Sequence, residues 1–147
     1  MSSPTISAAT TFLNTFFTIF DTGNRADLIP FYTPTARLTY EDVTYNNAPD
    51  IVTFLVEAPK KIQHKRAKTV LEQVNERGDV LVLVTGVLEF GKRGTRTNFA
   101  TTFVLHRSEG VDMVGEGEGE EEGEFVIGRQ VSSISFEGDE ELDLAIE

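Results

Sequence analysis

The first quarter of the chain has the apolar spacing of an amphipathic helix. Phe12, Phe16 and Phe20 recur at every fourth position, which places them on one face of a helix. Ser7 is the predicted amino-terminal cap, and the DTGN sequence at 21–24 contains residues that end helices. The pattern therefore predicts a first helix with an aromatic buried face.

Two shorter helices are predicted next, with one or two short strands between them. Residues 24–34 fit a short helix that Pro30 and Pro34 end early. Residues 48–59 fit a helix with Pro49 in its first turn. The alternating pattern at 37–46 favours short strands.

From residue 61 onwards the apolar positions alternate with a period of two, which is typical of strands. Gly-containing turns at 76–79 and 91–94 join successive strands as hairpins. We therefore predict an α+β fold, with three amino-terminal helices packed on one face of a curved antiparallel sheet. Its other face is left for solvent or a partner. The predicted strands span residues 61–74, 79–90, 96–107 and 125–136.

Charge is distributed very unevenly along the chain. Residues 1–107 contain 10 Asp and Glu against 12 Lys and Arg, whereas residues 108–147 contain 14 against one. The acidic residues lie in a Gly/Glu-rich hairpin loop at 109–124 and a tail at 137–147, both predicted to be flexible or disordered. Each is a solvated linker or an electrostatic arm that docks on a basic surface or deters nucleic acid. The folded domain is predicted to cover residues 1–136.

Composition narrows the class of protein further. The chain has no cysteine, so we expect neither disulfides nor thiolate chemistry, which fits an intracellular compartment. It has no basic segment followed by an apolar run at its start, and no apolar run approaches the roughly 20 residues of a membrane helix. We expect no metal, no cofactor and no membrane partner.

Five segments, in order along residues 8–136, resemble the nuclear transport factor 2 family. The resemblance is closest to the branch that holds transport factors and small mRNA-export subunits. It implies a cone-shaped α+β domain, in which the strongly curved sheet and the helices enclose a hydrophobic cavity. The matching segments are FLNTFFTIFD, LIPFYTPTARLTYED, IVTFLVEAPKKIQH, GDVLVLVTGVLEF and FATTFVLHRSEG.

The resemblance also implies which residues form the cavity. In the Ran-carrier branch, the cavity accepts an aromatic side chain of Ran, and acidic residues around it pair with Ran lysines. Glu41 matches one of these rim acids. The positions that match the cavity lining are Tyr40, Ile62, His64, Leu88 and Phe90.

Two departures from that branch change the expected partner. The turn after the GVLEF strand carries Lys92 and Arg93, followed by Arg96, where the Ran carriers have acidic residues. Like charges facing Ran lysines would repel them. The Asn-Asp-x-Phe-Arg motif of the last strand is replaced by RQVSS at 129–133. RanGDP binding is therefore not expected to be retained.

These features predict a non-enzymatic adaptor of nucleocytoplasmic transport, in the nucleus and nuclear pore and shuttling with the cytoplasm. We expect the small subunit of a heterodimeric mRNA-export receptor, with a related domain of the large receptor and Phe-Gly nucleoporins as partners. A homodimeric RanGDP import carrier and a scaffold dimerisation domain are the alternatives. The expected sheet-face interface comprises Phe99, Thr101, Phe103, Arg129, Val131 and Ser133.

An enzyme is a further alternative, because cone-shaped domains of this superfamily include dehydratases and isomerases that use His and carboxylates as acid and base. His64, Tyr40 and Glu41 are the candidates here. A dyad requires a carboxylate aimed at the histidine, and none is in phase with it on its strand. We therefore predict no catalytic residue. The in-phase neighbours of His64 are Ile62, Arg66 and Lys68.

A basic strip at 60–68 raises the question of nucleic-acid binding. The strip contains no aromatic residue, so it lacks the stacking platforms of single-strand binders. Charges on a strand commonly protect a sheet edge. We expect at most weak, non-specific RNA contact. With three bases of the turn after the GVLEF strand, the strip forms a predicted basic patch of Lys60, Lys61, Lys65, Arg66, Lys68, Lys92, Arg93 and Arg96.

Overall fold

A computed structural model describes residues 4–107 and 125–135 of the protein. The acidic segments 109–124 and 137–147, for which we made predictions above, lie outside the described residues. The helices are α1 (Pro4–Thr22), a 3-10 helix (Arg25–Phe31) and α2 (Ala48–Glu57). The strands are β1 (Tyr32–Tyr40), β2 (Val43–Tyr45), β3 (Ile62–Gln73), β4 (Val80–Phe90), β5 (Thr95–Arg107) and β6 (Phe125–Ser135).

The predicted architecture of three helices on a curved sheet is confirmed, but the sheet is mixed rather than purely antiparallel. The six strands follow the order β2-β1-β6-β5-β4-β3. The last strand returns beside β1 and runs parallel to it, while the other neighbours are antiparallel. Strands β1 and β6 can run parallel because they are not joined by a hairpin: β2 to β5 lie between them in the sequence.

Several element boundaries differ from the prediction. The 3-10 helix, for example, contains Pro30 and continues to Phe31. Helix α1 begins at Pro4 rather than at Ser7, because proline fits the first turn of a helix, where its missing N–H is not needed. Strand β1 begins at Tyr32, five residues before the predicted start at position 37. Pro34 is tolerated there because the pairing with β6 is irregular between Tyr32 and Arg37.

The core lies between the aromatic face of α1 and the inner face of the sheet. Phe16 is completely buried and meets Phe103 of β5 edge to face, with 5.5 Å between ring centroids. Helix α2 adds Ile51 and Leu55 to the same core. Its amino terminus is capped by Asn47, whose side chain accepts the Asp50 amide at 2.8 Å.

A bulge in the edge strand β3 interrupts its pairing with β4. The register between β3 and β4 shifts between Arg66 and Lys68, which leaves Ala67 outside the regular ladder. Gly86 of β4 faces the bulge, and a Cβ atom there would lie 2.2 Å from the Lys65 carbonyl oxygen. The close approach of the two backbones therefore requires glycine at position 86.

The outer face of the sheet is uncovered by any described element. Leu81 and Leu83 of β4 are 40% and 43% exposed there, although the strand lies inside the sheet between β3 and β5. Within residues 4–107 and 125–135, no helix is long and apolar enough to cross a membrane. The same residues include no group of three acidic or histidine side chains placed to hold a metal ion.

Candidate functional site: an apolar cavity with a histidine–aspartate pair

A cavity of about 480 Å³ lies between α1, the end of α2 and the inner face of the sheet. Helix α1 contributes its aromatic face, including Phe17 and Phe20, and α2 contributes Phe54 and Leu55. The walls are almost entirely apolar, so the cavity suits a hydrophobic side chain or a small apolar molecule.

Five of the six residues predicted at the cavity line it, and Glu41 does not. Glu41 lies in the turn between β1 and β2, with φ at 57°. Its carboxylate accepts the Ile134 amide at 2.7 Å, at the end of β6, where Ile134 itself lines the cavity. Glu41 therefore holds the cavity wall instead of facing its interior. The residues that line the cavity as predicted are Tyr40, Ile62, His64, Leu88 and Phe90.

Tyr40 closes one side of the cavity together with aromatic residues from neighbouring elements. Its ring lies 5.4 Å from that of Phe54, which in turn stacks on Tyr45 at 4.6 Å. Burial, and then the negative charge of Glu41, raises the pKa of Tyr40. Its hydroxyl therefore stays protonated near neutral pH.

The prediction that His64 has no carboxylate partner is wrong. Asp21, at the end of α1, lies with Oδ1 2.7 Å from Nδ1 of His64. Its Oδ2 accepts the main-chain amide of His64 at 2.8 Å. The carboxylate comes from a different element, 43 residues earlier in the sequence, and not from the strand that carries His64. Both side chains are largely buried, at 9% and 12% exposed.

Three phenylalanine rings surround the imidazole. The rings of Phe17 and Phe20 lie 4.9 Å from that of His64, and the Phe99 ring lies 5.1 Å away. The aspartate and the rings together fix the orientation of the imidazole at the cavity wall. Such a pair can hold one ring nitrogen protonated, so that the other can accept a proton. The pair therefore meets the first geometric requirement of a general base.

Arg25 fastens the cavity mouth, and no sequence argument identified it. Its guanidinium donates to the carbonyl oxygen of Phe20 at 2.8 Å and to four carbonyls at the end of α2 and before β3. Burial lowers the pKa of Arg25, and the nearby charge of Asp21 opposes that shift. The four carbonyl acceptors belong to Leu55, Ala58, Pro59 and Lys60, at distances of 2.7 to 3.3 Å.

The basic patch does not form one continuous surface. Lys65 of β3 and Arg96 of β5 both pair with Glu89, at 3.0 and 3.4 Å. Arg66 donates to Asn14 at 2.9 Å and lies over the Phe17 ring. These contacts occupy the side chains within the fold, as expected of charges at a sheet edge.

Three further bases border a polar depression beside the cavity. Lys61, Lys92 and Arg93 line it, and it shares Ile62, His64 and Phe90 with the cavity wall. Together with Lys60, which precedes Lys61 in the sequence, this depression forms the basic rim. Among the described residues, Lys60, Lys61 and Lys92 form no ion pair.

The predicted sheet-face interface divides between the two faces of the sheet. Phe99, Thr101 and Phe103 are buried on the inner face at 0–6% exposed, so their assignment to the open face is wrong. The irregular pairing of β5 with β6 between Val104 and Leu105 is of the kind that resets strand alternation and hides the facing from sequence. The other three, which pair across from outward residues of β5, are Arg129, Val131 and Ser133.

Comparison with known proteins identifies the fold and the family of this chain. The family described as Nuclear transport factor 2 (NTF2) domain matches residues 8–116. Nuclear transport factor 2 of Emericella nidulans is 34% identical over 100 residues, which cover 67% of this chain and 79% of that protein.

Two solved structures extend the comparison. Nuclear transport factor 2 of Cryptosporidium parvum is 20% identical, with a TM-score of 0.73 over 92% of this chain and 98% of that one. A chain of the C. albicans Mtr2-Mex67 M domain complex is 11% identical, with a TM-score of 0.65 over 88% and 94%. These two likenesses concern the fold. With the family match over most of its length and a relative above 30% identity, the chain belongs to the nuclear transport factor 2 family.

Proposed function

We propose that this chain is a non-enzymatic, protein-binding adaptor of nucleocytoplasmic transport that works as the small subunit of a heterodimeric mRNA-export receptor. The observation that carries the proposal is the uncovered outer face of the sheet. Leu81, Leu83 and Val131 are each at least 40% exposed on it, and such an apolar surface is stabilised when a partner covers it. The partner is a related domain of a large export receptor.

The Mtr2-Mex67 likeness supports this mode of association, because a chain of the same fold occurs there in a complex. The proposed contact is sheet against sheet, through Val131 and the outward residues of β4 and β5. Arg129 and Ser133 would lie at the same surface. Phe-Gly nucleoporins would bind the assembled pair, which places the protein at the nuclear pore and in exchange between nucleus and cytoplasm.

The basic rim supports the export subunit over a RanGDP carrier. A cavity that takes an aromatic side chain of Ran needs acidic residues around it, and this rim carries Lys61, Lys92 and Arg93. Bringing Ran lysines against these cations would cost free energy. Relatives named nuclear transport factor 2 are the observation that favours the carrier, so the two partners must be tested side by side.

Sedimentation velocity of the purified chain with each partner tests the proposal. We expect a stable complex with the nuclear transport factor 2-like domain of an export receptor, and none with RanGDP at physiological salt. Leu83→Glu and Val131→Glu should each abolish the complex without unfolding the chain. Val56→Glu is the matched control, because Val56 is 46% exposed on α2, away from the sheet. Micromolar binding of RanGDP, or no effect of Leu83→Glu, would contradict the proposal.

An enzyme is the second candidate, and the Asp21–His64 pair at the apolar cavity favours it. A dehydratase or isomerase also needs a second group that reaches the substrate, and Glu41 is turned to the Ile134 amide. Tyr40 is the remaining candidate on the cavity wall. Turnover of an apolar cyclic ketone or alcohol that His64→Phe abolishes, with the fold unchanged, would replace the adaptor by the enzyme.

A further inference from the structure

The mouth of the cavity combines an apolar interior with a cationic border. The cavity of about 480 Å³ lies next to the basic rim, and both are lined by Ile62, His64 and Phe90. A ligand that fits this arrangement carries bulky apolar side chains next to negative charge.

The acids near the mouth are already engaged within the fold. Asp21 is held by His64, Glu89 by Lys65 and Arg96, and Glu41 by a main-chain amide. In contrast, Lys60, Lys61 and Lys92 form no ion pair among the described residues. The side chains at the border that can still form an ion pair with a ligand are therefore positively charged.

Strand β6 ends beside this mouth. Ile134 lines the cavity, and the next residue, Ser135, pairs with Asn98 of β5. Asn98 is only three residues from Thr95, where β5 leaves the turn that carries Lys92. Ser135, the last described residue, therefore lies within roughly 10 Å of that turn along the strand direction.

The sequence that follows has the chemistry that the mouth requires. Residues 137–147 contain six Asp and Glu, no Lys or Arg, and the apolar residues Leu142, Leu144 and Ile146 at alternate positions. In an extended segment these three lie on one side and Asp143 on the other. Eleven extended residues span up to about 36–40 Å, so the reach is ample.

We propose that residues 137–147 bind at the cavity mouth, with Leu142, Leu144 and Ile146 directed into the cavity and the acidic residues paired with the basic rim. The segment would then occupy the cavity until a partner displaces it. This inference rests on the cavity and the charges alone, and holds whichever transport partner the chain binds.

Tethering makes even weak binding sufficient. A segment joined by a short flexible linker has an effective concentration in the millimolar range, so an intrinsic dissociation constant near 1 mM already gives about half occupancy. The acidic segment 109–124 is placed less favourably. It joins β5 at Arg107 and β6 at Phe125, at the far end of strands that are about 40 Å long.

Methyl NMR spectra of the full chain test the proposal, with Ile62, Leu88 and Ile134 as reporters at the cavity and Val82 and Leu105 as reporters of the core. The variant Leu142→Ser/Leu144→Ser/Ile146→Ser keeps every charge. We expect it to shift the three cavity methyl signals and to leave the two core signals in place. Val111→Ser/Val114→Ser in the other acidic segment is the matched control, and should leave all five unchanged.

The electrostatic half of the proposal is tested at the rim. Lys61→Glu/Lys92→Glu, or salt near 1 M, should move the cavity signals of the wild-type chain towards those of the triple variant, because screening and charge reversal remove the attraction. Lys68→Glu, on β3 but outside the rim, should not.

Three results would overturn the proposal. Cavity signals that are identical in wild type and triple variant mean that the segment does not enter the cavity. Cavity signals that respond to the triple variant but not to salt or rim reversal remove the role of charge. A wild-type spectrum that changes with protein concentration towards that of the triple variant on dilution means that a second copy supplies the segment.

Discussion

The carboxylate of Asp21 contacts His64 twice, with one oxygen 2.7 Å from Nδ1 of the ring and the other accepting the main-chain amide at 2.8 Å. The two contacts join the end of α1 to the start of β3. His64 lines the cavity, and both residues line the polar depression beside it. One side chain therefore fixes both the backbone and the ring of the histidine that faces the cavity.

Loss of this carboxylate should destabilise the fold in a coupled way. We expect Asp21→Ala to lower the free energy of unfolding by about 1–3 kcal/mol, because a largely buried donor loses its acceptor. In His64→Phe the same substitution should cost less, with a coupling of about 0.5–3 kcal/mol. Urea unfolding of the wild type, both single variants and the double variant measures this coupling.

The control for that cycle is Asp27→Ala, an exposed aspartate in the 3-10 helix. It should change stability by about 0.5 kcal/mol or less. If the Asp21 and His64 losses add within about 0.3 kcal/mol, the contact between them contributes nothing to stability.

Arg25 should be among the most sensitive positions of the chain. Its guanidinium donates to five main-chain carbonyls from three parts of the chain. Arg25→Met would remove a donor from all five, of which the Leu55 carbonyl keeps the Ala58 amide as a second donor. We expect a loss of about 3 kcal/mol or more, measured by urea unfolding. Arg25→Lys should recover less than half of the free energy of unfolding that Arg25→Met loses, because a single ammonium group cannot reach all five carbonyl oxygens.

Arg37→Met is the matched control for Arg25, because Arg37 is exposed on β1 and should cost about 0.5 kcal/mol or less. Equal losses at the two positions would mean that the carbonyl contacts of Arg25 carry no special weight.

The parts of the site that sequence could predict are those with local or periodic signals. The aromatic face of α1 was predictable because Phe12, Phe16 and Phe20 follow the helical repeat. His64 at the cavity followed from the resemblance. Asp21 could not be paired with His64, because the contact depends on how α1 packs against β3, and strand phase carries no information about it.

The facing of the later strands was beyond prediction for a related reason. An alternating pattern states which residues share a face, but one irregularity exchanges the faces. The pairing of β5 with β6 skips Gly128, so the residues of β6 beyond it change face. Val131 therefore lies outside, while Phe99 and Phe103 of β5 lie inside. The role of Arg25 could not be predicted, because its five partners are main-chain carbonyls, which every residue has. The only available signal was a lone arginine at the start of the second predicted helix.

Gly86 should tolerate no side chain, because its backbone meets the β3 bulge. A Cβ would lie 2.2 Å from the Lys65 carbonyl oxygen and 2.9 Å from the Ala67 amide nitrogen, and neither group is a flexible side-chain end. We expect Gly86→Ala to cost about 2 kcal/mol or more by urea unfolding. The NMR signals of the His64 ring should also shift, since the bulge follows His64 on the same strand.

Gly91→Ala is the control that measures the cost of an unfavourable backbone conformation without a steric clash. Gly91 has φ at +83° with open space around it, so its substitution should cost only about 1–2 kcal/mol. A smaller loss at Gly86 than at Gly91 would contradict the close packing at the bulge.

Asp79 should account for part of the fall in the free energy of unfolding at acidic pH. Its side chain is 9% exposed and lies 2.8 Å from Asn75 Nδ2, 3.2 Å from Arg77 Nη2 and 3.4 Å from His106 Nδ1. Burial alone would raise its pKa, but the hydrogen bond from Asn75 and the contributions of His106 and Arg77 outweigh burial and lower the pKa.

A pKa that is lower in the folded than in the unfolded chain stabilises the fold above the unfolded value, which is about 3.9 for Asp. This stabilisation is lost as the pH falls through the folded value, because the folded chain must then take up the proton. We expect the free energy of unfolding of Asp79→Asn to fall less steeply below about pH 4 than that of the wild type. Urea unfolding at a series of pH values measures both curves, with Asp42→Asn, in the exposed β1–β2 turn, as the matched control. Parallel curves for wild type and Asp79→Asn would show that the contacts of Asp79 do not favour its charged form.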